Sequence, residues 1–488
     1  MKPQRCLAEI MMKKQRNNFG VTITGGAAPW QIFQQRADGH SGIRLWGEYH
    51  CVHLSQELPL EFSEVTGKTA IVKARIARED TGESVIPWTL CRIIDDHQWE
   101  VEFHNVPAGG MYRIETYMEY DGWDGLSCTR GDMIHNIGVG DVFVIAGQSN
   151  AAGRAKNPVM DTPDIGVHVL RPSGVWDIAT HPLGETTGSI YTGNYENHNP
   201  GHSPWLHFAK CLKRDLGYPI GLVPCAYGGA PLRWWNPEEN GALFDNMMAM
   251  LEDFDIHPKA VLWCQGEAEG YENSAETYYQ RFCTFVDAVR NRLNQNDLPF
   301  IVVQINRCME QSSDELDRQW GIVREAQRRA QHEMTKVATV PSADLAIYDF
   351  IHDAAQSNLV IGERCANAAL AVCYGRETDW QAPEPSQALL VSDNTVRLSF
   401  SRIENWINVY DVPAEKLPFE VEDKNGLMKP VSYRIEEESV YLVLPRPLSA
   451  PAYVNGMWRM DPGCSALWDC MRMPALSFYH FPVKNNEG

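Results

Sequence analysis

The stretch Gly140-Asp-Val-Phe-Val-Ile-Ala-Gly-Gln-Ser-Asn150 is an apolar run that ends in small and polar residues, and Ala151-Ala-Gly153 follows it. This pattern is typical of a buried strand that turns directly into a helix. Ser149 stands at the turn, where open α/β folds bind ligands and where backbone N–H groups can meet an oxyanion. A serine that only caps the following helix fits the same pattern.

From Gly140 onward, strand-sized apolar runs alternate with stretches whose apolar residues recur every three to four positions. This alternation predicts βαβ units, with helices packed on a parallel sheet. The predicted strands are 142–146, 220–225, 260–264, 300–305 and 337–340, and the predicted helices include 205–216, 243–254, 275–293 and 316–334.

The flanking regions have a different hydrophobic pattern. Residues 39–139 contain short alternating segments such as Trp99-Glu-Val-Glu-Phe103, separated by glycine-rich turns, which predicts a β-sandwich. Short strands return after residue 384. We therefore predict four parts: an N-terminal segment (1–38), a β-sandwich (39–139), a catalytic domain (140–384) and a C-terminal β-module (385–488).

Composition excludes several classes of function. The 488 residues carry 43 basic and 63 acidic side chains, a net charge of −20, which argues against nucleic acid and anionic membrane as partners. No apolar run approaches the roughly 18 residues that a membrane span needs. Glu9 interrupts the only apolar stretch near the start, so the start lacks the apolar region of a secretion signal and we expect a cytoplasmic protein. The 13 cysteines are scattered without metal-type spacing, so we expect reduced thiols. We expect no metal and no other cofactor.

The segment Tyr227-Gly-Gly-Ala-Pro-Leu-Arg-Trp-Trp235 directly follows a predicted strand. The N–H of Gly229 is a candidate oxyanion donor, although an ordinary turn also explains the glycine pair. Trp234 and Trp235 are candidates for stacking on a sugar ring, with core or interface packing as the alternative.

The segment Val261-Leu-Trp-Cys-Gln-Gly-Glu-Ala-Glu269 ends another strand at the same edge. The side-chain amide of Gln265 is a natural oxyanion donor. Glu267 is a candidate to orient a partner, to bind substrate or to act as an acid or base. The alternative is a carboxylate that only favours the N-terminus of the following helix.

The segment Asp349-Phe-Ile-His352 lies late in the chain. A histidine supplies the general base that a serine hydroxyl needs, and an acid on its other nitrogen fixes its orientation. Asp344 and Asp353 are alternative partners for this histidine, and a surface or capping role is the alternative for the whole segment.

The blocks Gly-Gln-Ser-Asn at 147–150 and Gln-Gly-Glu at 265–267, with the late Asp-x-x-His, resemble the SGNH hydrolase superfamily and within it the sialate O-acetylesterase branch. The resemblance implies a flavodoxin-like three-layer αβα core and a carbohydrate O-acetylesterase that acts through a serine acyl-enzyme. It implies Ser149 as nucleophile, His352 as base and Asp349 as orienting acid, with Ser149, Gly229 and Gln265 in the oxyanion hole. Candidate substrate-binding residues around this site are Gln148, Asn150, Glu267, Arg154, Arg233, Trp234 and Trp235.

The chain also departs from that branch. Ala151 stands where methionine is usual, and Asp353 stands where proline usually follows the catalytic histidine. The expected partner is an O-acetylated mono- or oligosaccharide, with acetylated sialic acids, xylo-oligosaccharides and manno-oligosaccharides all open. Two other functions stay open as well: a non-catalytic carbohydrate-binding protein, and a hydrolase of lipid esters or thioesters.

Overall fold

A computed structural model describes residues 20–50, 70–95, 97–122, 125–197, 200–403, 407–408, 412–463, 468–469 and 473–485. Residues 1–19 of the predicted N-terminal segment lie outside this range. The described chain has a mixed α/β fold, as predicted. Within it, no helix is long and apolar enough to cross a membrane, and nine cysteines are not in disulfide bonds.

The N-terminal strands form two largely antiparallel sheets that share one apolar core. Strand β3 alternates buried and exposed side chains, as a strand with one covered face should. The strands are β1 (Gly20–Gly25), β2 (Ile32–Gln34), β3 (His40–His50), β4 (Ile71–Arg78), β5 (Ser84–Leu90), β6 (Arg92–Ile93), β7 (Gln98–Pro107), β8 (Gly109–Gly122) and β9 (Gly125–Gly147).

Strand β9 runs from these sheets into the central sheet without a break. Its first part pairs antiparallel with β8, and its last part, from Asp141 to Gly147, pairs with strands of the central sheet. The predicted boundary between residues 139 and 140 therefore falls inside one strand. Strands β1 and β2 pair with β3 and β9, so residues 20–38 belong to these sheets and are not a separate segment.

The central sheet has the order β11-β10-β12-β9-β13-β14-β15, and all of its strands are parallel except the edge strand β11. Most of its strands are buried at every position, because both faces of the sheet are covered. Its strands after β9 are β10 (Val167–Leu170), β11 (Trp176–Ile178), β12 (Ile220–Pro224), β13 (Ala260–Cys264), β14 (Phe300–Val303) and β15 (Val337–Val340).

Helices lie on both faces of this sheet. Side chains of α4, α6 and α7 pack with one face, and side chains of α2 and α8 pack with the other. The α-helices are α1 (Ser149–Ala152), α2 (Trp205–Leu216), α3 (Leu232–Trp235), α4 (Ala242–Asp253), α5 (Glu267–Tyr271), α6 (Tyr278–Leu293), α7 (Asp314–Glu333) and α8 (Ala355–Tyr374). Short 3₁₀ helices are Thr192–Asn194, Ala275–Thr277 and Ala414–Lys416.

The C-terminal part is an eight-stranded sheet of order β20-β19-β23-β26-β16-β17-β22-β21, with β18, β24 and β25 in a small sheet beside it. It has its own apolar core. Its strands are β16 (Glu384–Ser392), β17 (Thr395–Ser401), β18 (Ile407–Asn408), β19 (Phe419–Asp423), β20 (Gly426–Met428), β21 (Ser432–Glu436), β22 (Ser439–Val443), β23 (Ala452–Gly456), β24 (Trp468–Asp469), β25 (Met473–Pro474) and β26 (Phe478–Asn485).

The parallel strands place their carboxyl ends at one edge of the central sheet. Strands β9, β12, β13 and β15 end there, and each is followed by one of the polar segments that the sequence analysis selected. This edge is where open α/β sheets bind their ligands.

Candidate active site

The serine turn depends on a glycine. Strand β9 ends at Gly147, whose φ is +129°, and a Cβ there would lie 2.1 Å from the carbonyl oxygen of Cys264. Gln148 donates its N–H to that same carbonyl at 2.9 Å, so the chain turns sharply while it stays against β13. The N-cap of α1 is Gln148 and Ser149 is the first helical residue, so the alternative role of Ser149 as a helix cap does not hold.

His352 lies on a loop together with the acid that binds its ring. Its Nδ1 is 2.7 Å from Oδ2 of Asp349, while Oδ1 of Asp349 accepts the backbone N–H groups of Ile351 at 2.9 Å and His352 at 2.8 Å. Partial burial raises the pKa of Asp349, but these hydrogen bonds outweigh it, and the net pKa lies below its usual range. An ionised carboxylate on Nδ1 leaves Nε2 as the basic nitrogen of a neutral imidazole.

Asn150 connects the serine turn to the histidine loop. Its Nδ2 donates to the carbonyl oxygen of Ile351 at 3.4 Å, and its Oδ1 accepts the N–H of Asp353 at 3.0 Å. These two residues flank His352. The side chain next to Ser149 therefore holds the backbone on both sides of the histidine.

The two alternative acids are engaged elsewhere. Asp344 forms a buried, two-pronged ion pair with Arg364, with both oxygens at 2.8 Å from guanidinium nitrogens. Asp353 accepts a hydrogen bond from Nδ2 of Asn306 at 2.7 Å. Burial raises the pKa of Asp353 to about 7. The geometry therefore favours Asp349 as the partner of the histidine ring.

Glu267 lies buried behind the serine turn. Its Oε1 accepts a hydrogen bond from Nδ2 of Asn150 at 2.9 Å, and burial raises its pKa. Its Oε2 is buried and has no hydrogen-bond partner among the described residues. Glu267 and Asn150, both candidates for substrate binding, are buried and bind each other. Of the roles considered for Glu267, orienting a partner fits this position.

Gln148 offers an unused donor beside Ser149. Its Oε1 accepts the backbone N–H groups of Gly266 and Ala268, both at 3.3 Å. This acceptor role fixes the amide, and its Nε2 makes no hydrogen bond within the described part of the chain. Gln148 was expected to contact substrate, and its amide nitrogen is the part available for that.

Gln265 differs from the oxyanion donor that the sequence suggests. It is fully buried, and its Nε2 donates to the carbonyl oxygen of Ala230 at 3.2 Å and to the carboxyl group of Glu269. Both amide hydrogens are therefore committed inside the protein. Gln265 stabilises the loop after β12 instead, together with Glu269, which accepts the N–H of Leu232 at 2.6 Å.

Gly229 has the conformation and exposure that an oxyanion donor needs. Its φ is +65°, and a Cβ there would meet nothing within 4 Å. Its N–H has no backbone acceptor in the regions that the structure describes. The loop is tied to the serine turn because Tyr227 donates its N–H to the carbonyl of Gly147 at 3.2 Å.

Arg154 supports this loop from the other side. Its Nη2 lies 2.6 Å from Oε2 of Glu196, and Oε1 of Glu196 accepts the N–H of Gly228. The ion pair is almost completely buried. Arg154 is a candidate substrate-binding residue from the sequence, but its charge is already paired with Glu196 inside the protein. Nothing in the sequence around Glu196 marks it as a site residue.

Arg233, Trp234 and Trp235 have separate roles. Arg233 is 41% exposed and pairs with Glu272, and its guanidinium lies 5.9 Å from the ring centre of Trp234. Trp234 is partly exposed and meets Tyr227 edge-on. Trp235 is fully buried in the apolar core, so its predicted stacking on a sugar is wrong.

Asp161, His181 and His202 form a cluster that has the donor set of a cation site. Oδ2 of Asp161 lies 3.0 Å from Nε2 of His181 and 3.1 Å from Nε2 of His202, while Lys210 donates to Oδ1 at 3.0 Å. The carboxylate thus accepts three hydrogen bonds, and Lys210 supplies the positive charge. The arrangement fits a structural network that joins α2 to the preceding loops.

Comparisons with known proteins show what this chain is similar to. The model of the family described as carbohydrate esterase, sialic acid-specific acetylesterase, matches residues 139–371. A probable carbohydrate esterase of Arabidopsis thaliana is 31% identical over 186 residues, which are 34% of this chain and 68% of the relative.

The likeness in fold extends beyond residues 139–371. The crystal structure of a carbohydrate acetylesterase from Xanthomonas citri matches with a TM-score of 0.62 at 20% identity. The match covers 94% of this chain and 99% of that one, so it includes most of the N-terminal and C-terminal sheets as well as the central one.

Proposed function

Since this chain belongs to the family of carbohydrate esterases described as sialic acid-specific acetylesterases, we propose that it removes O-acetyl groups from sugars through an acyl-enzyme on Ser149. The predicted family and the predicted carbohydrate acetylesterase activity are confirmed by this membership. The serine mechanism is supported by one observation above all: Asn150, next to Ser149, holds the loop on which Asp349 orients His352.

The reaction has two halves. Nε2 of His352 takes the proton of the Ser149 hydroxyl as Oγ attacks the acetyl carbonyl carbon, and it then gives that proton to the leaving sugar oxygen. Water, activated by the same nitrogen, attacks the acyl-enzyme, and acetate leaves as Oγ regains its proton. Asp349 keeps the ring in the required tautomer and stabilises its charged form.

The negative oxygen of each tetrahedral intermediate needs preorganised donors. The N–H of Ser149 is at the start of α1 and has no partner inside that helix. We assign this N–H, the N–H of Gly229 and Nε2 of Gln148 to the oxyanion hole. Gln265 contributes indirectly, since it holds the carbonyl of Ala230 next to Gly229.

The substrate is an O-acetylated mono- or oligosaccharide. Arg233 and Trp234 are partly exposed and lie in α3, directly after the loop that carries Gly229. Trp234 is suited to contact a sugar ring and Arg233 a sugar carboxylate. Acetylated sialic acid has both a ring for Trp234 and a carboxylate for Arg233. Neutral acetylated xylo- or manno-oligosaccharides have only the ring. We infer that the sheet with helices on both faces is the flavodoxin-like three-layer core of an SGNH hydrolase.

The test is acetate release by wild type, Ser149→Ala and Ser203→Ala from acetylated sialic acid, acetyl-xylo-oligosaccharides and acetyl-manno-oligosaccharides. Ser203 is a suitable control because its Oγ is buried and makes no hydrogen bond within the described residues. We expect release by wild type and Ser203→Ala, and a loss of about 10⁶-fold in kcat for Ser149→Ala with an unchanged melting temperature.

Release that survives in Ser149→Ala would overturn the serine mechanism. Sugar binding without release by wild type would instead favour a carbohydrate-binding protein. With acetylated sialic acid as the substrate, Arg233→Ala should raise KM. Turnover of acetyl-xylo-oligosaccharides should stay unchanged. An equal effect on both substrates would contradict the assignment of Arg233 to the sugar carboxylate.

A further inference from the structure

The segment that follows β14, residues 304–310, lies between the C-terminal sheet and the histidine loop; it is called the bridging segment below. On the side of the C-terminal sheet, Gln304 exchanges two hydrogen bonds with the backbone of Ser477, at 3.0 Å and 2.9 Å. Cys308 donates its N–H to the carbonyl oxygen of Met460 at 3.0 Å. One face of the bridging segment is therefore fixed to the C-terminal part of the chain.

The other face of the bridging segment holds the histidine loop. Met309 donates its N–H to the carbonyl oxygen of Phe350 at 2.7 Å, two residues before His352. Nδ2 of Asn306 donates to Oδ1 of Asp353 at 2.7 Å, one residue after His352. Asn306 and Asp353 are both buried, so this hydrogen bond is shielded from water.

Arg324 of α7 clamps the bridging segment to the C-terminal part. Its Nε and Nη2 donate to the carbonyl oxygens of Ile305 and Asn306 at 3.1 Å and 2.9 Å. Its Nη1 donates to the carbonyl oxygens of Met457 at 2.9 Å and Arg459 at 2.6 Å. The guanidinium is fully buried, and its burial lowers the pKa of Arg324 to about 9. A buried cation that is satisfied by carbonyl oxygens on both sides ties those two segments together.

We propose that the C-terminal β-module positions the catalytic histidine through Arg324 and the bridging segment, with Asn306 as the positioning residue that holds Asp353. This inference rests on the proposed serine mechanism and gives the C-terminal module a role in it. The module acts on the site through an unbroken series of hydrogen bonds: from Met457 and Arg459 to Arg324, then to Asn306, and from Asn306 to Asp353 beside His352.

Arg328 supplies a matched control on the same helix. It lies one turn after Arg324 and also binds the C-terminal sheet, through Glu384 at 3.0 Å, but it makes no hydrogen bond to the bridging segment among the described residues. Arg324→Met and Arg328→Met therefore both weaken the attachment of the module. Only Arg324→Met also removes hydrogen bonds to the bridging segment, those to the carbonyl oxygens of Ile305 and Asn306.

The experiment compares wild type, Asn306→Ala, Asp353→Asn, Arg324→Met and Arg328→Met in the full chain. For each, kcat, KM, the melting temperature and the rate of inactivation by phenylmethylsulfonyl fluoride are measured. Inactivation reports how well the histidine activates Ser149 without any sugar present. We expect kcat and the inactivation rate to fall roughly 10- to 100-fold in Asn306→Ala and Arg324→Met, with little change in KM, because the base is displaced while the sugar contacts remain.

Asp353→Asn keeps an oxygen that accepts from Asn306 and should keep kcat close to wild type. Arg328→Met should lose stability but keep kcat. The inference is overturned if Asn306→Ala retains wild-type kcat, or if Arg324→Met and Arg328→Met lose kcat equally. Should Arg324→Met not fold, the comparison of Asn306→Ala with Asp353→Asn decides. A failure of the serine mechanism is distinguishable, since Ser149→Ala would then retain acetate release.

Discussion

The side chain of Asn150 accepts the backbone N–H of Asp353 at 3.0 Å, although 203 positions separate the two residues in the chain. One of them follows the candidate nucleophile, and the other follows the candidate base. A single amide thus sets the spacing between the two halves of the catalytic machinery. It is itself fixed by the buried carboxyl group of Glu267 at 2.9 Å.

Asp349 and Asp344 make a matched pair of substitutions. Asp349→Asn removes the charge that orients His352, and we expect kcat to fall roughly 10⁴-fold with little loss of stability. Asp344→Asn breaks the buried pair with Arg364 and should cost stability, about 3–5 kcal/mol, while the folded enzyme keeps its kcat. Steady-state kinetics and urea unfolding of both variants check this. A larger loss of kcat in Asp344→Asn would contradict the assignment of the acid.

The two glutamines at the site can be separated in the same way. Gln148→Ala removes a free amide donor, and we expect a loss of roughly 10²–10³-fold in kcat. It also removes the acceptor of the N–H groups of Gly266 and Ala268, so a loss of stability of about 1–3 kcal/mol should accompany the kinetic effect. Gln265→Ala removes the donor to Oε2 of the buried Glu269, which keeps the hydrogen bond from the N–H of Leu232 on Oε1, and we expect mainly a loss of stability of about 1–3 kcal/mol. The measurements are kcat and the midpoint of urea unfolding. If Gln265→Ala shows the greater loss of kcat at unchanged stability, the oxyanion roles are reversed.

Asp353 predicts a pH dependence of stability. Its pKa is about 7 in the folded protein, against about 3.9 in an unfolded chain, so between these values the folded state binds more protons. Stability therefore falls as the pH rises from about 4 to about 7. Asp353→Asn removes this contribution. The free energy of unfolding of the variant, relative to that of the wild type, should therefore be higher at pH 8 than at pH 5.

Urea unfolding of wild type and Asp353→Asn at the two pH values measures this difference. Glu269, whose pKa burial also raises to about 7, is present in both proteins and cancels in the comparison. A stability difference that is the same at pH 5 and pH 8 would show that Asp353 is ionised in the folded protein.

Trp234 and Trp235 are adjacent in sequence and should behave differently. Trp234→Ala removes a partly exposed ring, and we expect KM for the acetylated sugar to rise two- to tenfold, equivalent to about 0.5–1.5 kcal/mol, with small loss of stability. Trp235→Ala opens a cavity in the core and should cost about 3–5 kcal/mol of stability. Kinetics and thermal unfolding of both variants provide the readout. A KM unchanged by Trp234→Ala would place the sugar elsewhere.

The sequence predicted the strands and helices of the catalytic part well. The strands are continuous apolar runs because helices cover both faces of the sheet, and the helices show a strong three-to-four apolar periodicity. It also predicted that Ser149, Gly229 and the Asp349–His352 pair lie in loops or turns after strands of one parallel sheet. The boundary predicted at residue 140 falls inside the continuous strand β9, which changes its pairing partners there without a turn.

The sequence by itself therefore determined the fold class, the family and the candidates for nucleophile, base and acid, since these follow from local patterns and short motifs. Only the tertiary structure decided how polar side chains are used. Gln265, Arg154 and Trp235 have the right chemistry for a site, but burial and close partners commit them to the protein interior. The partners of such side chains are distant in the chain; Glu196 and Asn306 are examples. A local sequence pattern does not show which distant residue a polar side chain will bind.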